Sequence, residues 1–128
     1  GALRVYVEEK NHPPSATAAL IFLMKEYTCP ELCLTYAAQQ LYMNANYLSG
    51  LVGRAVGISF HSFVRLLRIS KAQQLLRAPE ELSIQKVSDL SGFGNMNLFF
   101  RSFRDITGTT PMNYRNRKMK RRVFIWLI

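Results

Sequence analysis

From residue 15 onward the apolar positions recur with the 3.6-residue period of a helix that buries one face. Ser15 is placed to cap a first helix reaching about Tyr27, with Leu20, Leu23, Met24 and Tyr27 on one side, and Cys29-Pro30 ends it. A short helix from about Leu34 to Leu41 follows, carrying Ala37 and Ala38, whose small side chains permit close approach by a neighbour. After a turn at Tyr42-Met43, Asn44 caps a helix to about Ala55 with Leu48, Leu51 and Val52 as its inner stripe, and Gly57 can stop it in the left-handed conformation. Ser59 caps the longest helix, Phe60 to about Arg77, whose apolar face is Phe60, Phe63, Val64, Leu67, Ala72, Leu75 and Leu76. Arg65, Arg68, Lys71 and Arg77 are assigned to its polar side. Ala78-Pro79-Glu80-Glu81 breaks that helix, Ser83 caps a short one to Ser91, and Gly92-Phe93-Gly94 turns the chain into a helix from Asn95 to about Ile106. Gly108 closes it, and Thr110-Pro111 opens a last helix with a cap and a proline at the first helical position. Phe99 and Phe100 are adjacent on a helix, so one must be the more exposed, and Phe100 is expected outside.

This pattern is written twice. Leu32-Cys33-Leu34 with Ala37-Ala38 returns fifty positions later as Leu82-Ser83-Ile84 with Val87-Ser88. Asn44, Leu48, Val52 and Gly57 return fifty-one positions later as Asn95, Phe99, Phe103 and Gly108, so the second turn is one residue longer. Two copies are too few for a solenoid, which needs about three or more repeats. Two copies of short helix, tight turn and second helix suggest paired helix-turn-helix units, each able to offer a helix to a DNA groove. Asn44 and Asn95 are read as caps, and Leu48, Val52, Phe99 and Phe103 as core.

Composition adds a partner class. The chain of 128 residues carries a net charge of +9 with 48% hydrophobic residues, fitting one compact basic domain. Residues 1–30 hold three bases and three acids, whereas residues 31–128 hold 14 bases and 5 acids, so the excess travels with the repeats. Five bases and no acids lie between residues 46 and 79. Such charge favours polyanionic partners, nucleic acid or anionic membrane. No apolar run approaches the roughly 20 residues that span a bilayer, and no signal peptide is evident, so no membrane role is expected. Cys29 and Cys33, four apart around Pro30, fit neither a disulfide framework nor a zinc site, and His12 and His61 are remote from them. Reduced thiols, a cytoplasmic location and no metal or other cofactor are expected. No paired His and carboxylate and no phosphate-cradling glycine loop is present, so the chain is not expected to be an enzyme. RNA is disfavoured because no aromatic-bearing sheet or its motif is visible.

At the ends, residues 1–14 with consecutive prolines read as a linker or the end of an upstream region, and the absent initiator methionine fits a piece of a longer protein. The basic run Arg115-Asn116-Arg117-Lys118-Met119-Lys120-Arg121-Arg122 can touch phosphates or be solvated. The apolar tail, residues 123–128, is expected to pack on the body or on a partner.

Over roughly residues 30–117 the chain resembles the DNA-binding domain of the AraC/XylS family of bacterial transcription regulators. Gly92-Phe93, Phe99, Phe103, Gly108, Pro111, Tyr114 and Arg115 fall at that family's spacing, as do Arg68, Ala72, Leu75 and Leu76 of the connecting helix. The resemblance implies an all-α domain of seven helices over residues 15–122, with helix-turn-helix units at about 32–57 and 82–108 joined by a long central helix, 60–77. It further implies sequence-specific binding of double-stranded DNA by two recognition helices in successive major grooves, about 10 base pairs apart. Regulation, mostly activation, follows from the same likeness, with effector sensing and any oligomerisation assigned to an upstream region.

By similarity the base-facing positions are Asn46, Ser49 and Gly50, with Tyr47 nearby, on the first recognition helix, and Met96, Asn97 and Arg101 on the second. Arg can grip guanine, and Asn adenine, through two hydrogen bonds, each pair contributing about 1–3 kcal/mol of discrimination. Arg54, Arg68, Arg104 and Arg115 are expected to meet phosphate or close internal hydrogen bonds, and Phe100 is set against the DNA backbone. The first unit departs from the family pattern at Val52 for an aromatic, Tyr42 for a turn glycine and Cys33 for a capping Ser or Thr. With Ser49 and Gly50 short or absent at reading positions, base readout is expected to rest more on the second unit or on DNA shape. The competing class is a protein-interaction module that contacts RNA polymerase or a partner subunit and has only non-specific DNA affinity.

Overall fold

A computed structural model describes residues 14–117, which are helical with short connections and contain no strand. The N-terminal linker, the end of the basic run and the apolar tail lie outside the described residues. The helices are α1 (Pro14–Glu26), α2 (Leu34–Gln40), α3 (Ala45–Val56), α4 (Phe60–Arg77), α5 (Ile84–Leu90), α6 (Met96–Thr107) and α7 (residues 111–117). The chain divides into two compact units at Val64 and Arg65, within α4.

In the first unit α3 packs on both α1 and α2. The buried face of α1 is Ala16, Ala19, Leu20 and Leu23, while Met24 and Tyr27 are only half-buried. Ser15 lies inside α1 rather than capping it, because the helix already begins at Pro14. Facing α1 and α2, α3 buries Leu48, Leu51, Val52 and Ala55. Each boundary has a local cause. Cys33 caps α2, its sulfur accepting from the Tyr36 N–H at 3.5 Å, a weaker version of what a hydroxyl would do. Asn44 caps α3, and Ser59 caps α4 by accepting from the Ser62 N–H at 3.1 Å.

The second unit is built around aromatic rings. Ile69, Ala72 and Leu76 of α4 close on Val87, Phe93, Phe99 and Phe103, and Tyr114 of α7 packs against them. Phe93 and Phe99 stand 5.2 Å apart, Phe99 and Phe103 5.9 Å, and Phe103 and Tyr114 5.5 Å, centre to centre and all inclined. Ser83 caps α5 through the Lys86 N–H, Asn95 caps α6 through the Leu98 N–H, and Thr110 caps α7 through the Asn113 N–H. Gly57 and Gly108 end α3 and α6 with the same φ of 78° and ψ of 5°, so the repeat in sequence is a repeat in backbone.

The repeat also exposes a cost. After α2 the Met43 N–H reaches the Ala38 carbonyl and the Tyr42 N–H the Gln39 carbonyl; after α5 the Phe93 and Gly92 N–H groups reach Ser88 and Asp89 in the same way. Both are the paired bonds of a Schellman stop, which puts one residue in the left-handed region. In the second unit that residue is Gly92, at φ 100°; in the first it is Tyr42, at φ 56°, with its ring 97% exposed. A side chain there costs roughly 1–2 kcal/mol, and the exposed ring recovers none of it through packing. Tyr42→Gly should therefore raise stability by about 1 kcal/mol in urea unfolding. A fall in midpoint would mean that the tyrosine makes a compensating contact.

Candidate nucleic-acid interface

The exposed faces of α3 and α6 follow from what each helix buries. With Leu48, Leu51, Val52 and Ala55 turned inward, the helical period leaves Asn46, Ser49, Gly50, Gly53 and Arg54 on the opposite side. Asn46 and Arg54 are exposed, Tyr47 is 51% exposed beside them, and Ser49 and Gly50 are half-buried. The N-terminus of α3 is held by Asn44, whose Oδ1 accepts from the Asn46 N–H at 2.8 Å and the Tyr47 N–H at 3.3 Å. Asn44 thus acts as a cap, and the first two candidate side chains start from fixed backbone.

On α6 the buried residues are Phe99, Ser102 and Phe103. Asn97, Arg101 and Arg104 are exposed and recur at spacings of four and three, so they form one row along the open face. Phe100 is 41% exposed against 0% for Phe99, the division expected from their adjacency. Met96 departs from expectation: it is half-buried and packs on the core of its unit. Its direction from the axis is close to that of Phe103, which places the thioether beside the core and leaves Asn97 and Arg101 as the polar groups at that end.

Of the four arginines expected to meet phosphate or close internal hydrogen bonds, two are drawn inward. Arg68 is 9% exposed, so the polar side assigned to it is corrected: it shares the face of Val64 and Ala72, one turn away on either side. Arg115 is half-buried and donates from a terminal nitrogen to the Leu82 carbonyl at 2.6 Å, tying α7 to the segment before α5. Arg54 and Arg104 remain on the surface.

One arrangement had no sequence signal. Arg65 donates from Nε to the buried Ser102 hydroxyl at 3.1 Å and pairs with the Asp105 carboxylate at 3.5 Å. The partners are 37 and 40 positions away, beyond any local periodicity. Asp105 is the one acid on α6. The guanidinium offsets its charge beside a face otherwise lined by Arg101 and Arg104, where a bare carboxylate would repel phosphate. Among the described residues no cluster of three His, Cys, Asp or Glu could hold a metal ion, and no helix is long and apolar enough to cross a membrane.

Comparison with known proteins matches this geometry to a family. Residues 37–117, more than half of the chain, fit a helix-turn-helix domain model. The uncharacterized HTH-type transcriptional regulator YtdP of Bacillus subtilis is 35% identical over 88 residues, covering 69% of this chain but 11% of that protein. The melibiose operon regulatory protein of Escherichia coli is 26% identical over 91 residues, 71% of this chain and 30% of its own length. The chain thus spans a third or less of these curated relatives. Among solved structures, the C-terminal domain of AraT, a response regulator from Geobacillus stearothermophilus, superposes with a TM-score of 0.80 at 27% identity, over 84% of this chain and 88% of that one. The DNA-binding domain of AdpA, solved in complex with a target DNA, gives 0.78 at 19% identity, over 86% and 97%, and shares the fold.

Proposed function

Because the chain belongs to the AraC-type helix-turn-helix family of DNA-binding transcription regulators, and is no enzyme, we propose that α3 and α6 are its recognition helices and enter successive major grooves of one duplex. The observation that carries this is the doubled unit: two capped helices, stopped by glycines of equal dihedral angle, each with a polar face opposite its buried stripe. Asn46 and Ser49, with Tyr47 at the edge, form the first reading surface, and Asn97 and Arg101 the second. Asn97 suits adenine and Arg101 suits guanine. Arg104 and Phe100 flank the second helix and meet the sugar-phosphate backbone, which sets register rather than sequence.

The regulator acts in the bacterial cytoplasm, as an activator by the family's habit. Any effector sensing and any oligomerisation are assigned to an upstream region. RNA polymerase is the second partner such a role requires. Selection of bound duplexes from a random pool, at moderate salt, tests the proposal. Two short motifs about one helical turn apart are expected. A single motif would assign backbone holding alone to one helix, and no enrichment would overturn sequence-specific binding by this chain.

A further inference from the structure

Gly50 stands in the middle of α3, on its open face, where glycine is a poor helix former. Its missing side chain has a defined occupant. A Cβ built on Gly50 would lie 3.0 Å from one terminal guanidinium nitrogen of Arg54, and 3.5 Å from both the guanidinium carbon and the other terminal nitrogen. The guanidinium therefore lies across the bare backbone of residue 50, one turn toward the N-terminus from its own Cα. That lean is the usual direction of a long side chain on a helix, but a Cβ at residue 50 would crowd it.

From this seat we propose that Arg54 is a base-reading residue of the first unit, supplying at position 50 the donors that position itself lacks. The inference rests on α3 being a recognition helix. Three observations favour base over phosphate. The guanidinium is carried toward the N-terminal half of α3, the part of a recognition helix that meets base edges. It lies away from the C-terminal carbonyls that an arginine in a last helical turn otherwise serves. It lies on the i, i+4 line of Asn46 and Gly50, and α3 contains no acid to hold it. The group offered is a planar fork of donors, which fits the two acceptors of guanine in the major groove. The first unit then reads with Asn46 and a relayed arginine, and is less dependent on DNA shape than its short side chains imply.

The experiment compares the 128-residue chain with Arg54→Ala, Arg54→Lys and Gly50→Ala on duplexes recovered by selection, varying one base pair at a time and the salt. Arg54→Ala should lose a guanine preference in the first-unit motif by about 5- to 150-fold, and Arg54→Lys, which can still donate to guanine but without the fork, should lose less of it. Gly50→Ala should weaken the same preference by a smaller factor, because the guanidinium must give by a few tenths of an ångström, while its melting temperature rises because alanine favours the helix, so the loss is not unfolding. Equal weakening on all sequences by Arg54→Ala, with the salt slope reduced by about one, would make Arg54 a phosphate contact and overturn the proposal. A guanine preference retained in Arg54→Ala would also overturn it. In those cases the wild-type motif survives and only Arg54's role falls. Absence of any first-unit motif in the wild type would instead overturn α3 as a recognition helix and this inference with it.

Discussion

Phe99→Ala should destabilise the second unit by about 3–5 kcal/mol, the range for removing a buried aromatic and leaving its cavity. Phe99 is 0% exposed, and its ring meets Phe93 at 5.2 Å and Phe103 at 5.9 Å, so no neighbour can move in without surrendering its own ring contact. Dense interiors relax only in part around such a loss. Domains of this size hold about 5–15 kcal/mol in total, so a substantial fraction of the chain would unfold at moderate temperature. DNA binding should fall with it, because Asn97 and Arg101 flank Phe99 on the same helix. Urea denaturation followed by circular dichroism measures the change, with Phe100→Ala as the exposed neighbour for comparison. A loss below about 1 kcal/mol for Phe99→Ala would mean that the aromatic core is not what holds α6 in place.

The first unit solves the same problem with smaller side chains. Leu48 and Val52 occupy the positions of Phe99 and Phe103, and both are buried. The aliphatic pair is completed by α1, which packs on α3 through a face of two alanines and two leucines. This explains why α1 was only partly legible in sequence. Alanine at residues 16 and 19 carries a weak hydrophobic signal, yet its small size is what lets a helix come close, whereas the larger Met24 and Tyr27 carry a stronger signal and are only half-buried.

Caps and stops were legible because they are local. Asn44, Ser59, Ser83, Asn95 and Thr110 each satisfy an N–H two or three residues on, and Gly57 and Gly108 each take a conformation written into the residue type. The exposed faces of α3 and α6 were legible only as far as helical period reaches. Asn46, Asn97, Arg101 and Phe100 follow from knowing which neighbours are buried. Arg68 is buried and Met96 half-buried because position outweighs side-chain type: each lies on or beside the buried stripe of its helix, which residue type alone does not reveal. Arg65 with Ser102 and Asp105, and Arg115 with the Leu82 carbonyl, depend on contacts 33 to 40 residues apart, which no window of a few turns contains.

Duplex affinity should fall roughly a thousandfold between 50 and 200 mM salt if the chain neutralises about six phosphates, since each neutralised phosphate releases counterions. The net charge of +9 suggests a larger response, but the inward arginines lower it. Arg115 is bonded to a carbonyl, Arg68 is buried and Arg65 is paired with Asp105, so these three contribute little to a phosphate footprint. Arg77, Lys86, Arg104 and Arg117 are exposed and can supply part of it, and the basic run that continues past residue 117 adds four more bases. Titration of a labelled duplex across that salt range gives the slope directly. A slope near zero would favour a surface whose main partner is a protein, with RNA polymerase or a partner subunit in place of DNA. A steep slope on every sequence, with no preference among them, would mean that the charge holds the duplex while the faces of α3 and α6 read nothing. A steep slope together with base preference is the outcome that requires both the basic surface and the two reading faces, and it is the one this arrangement of residues predicts.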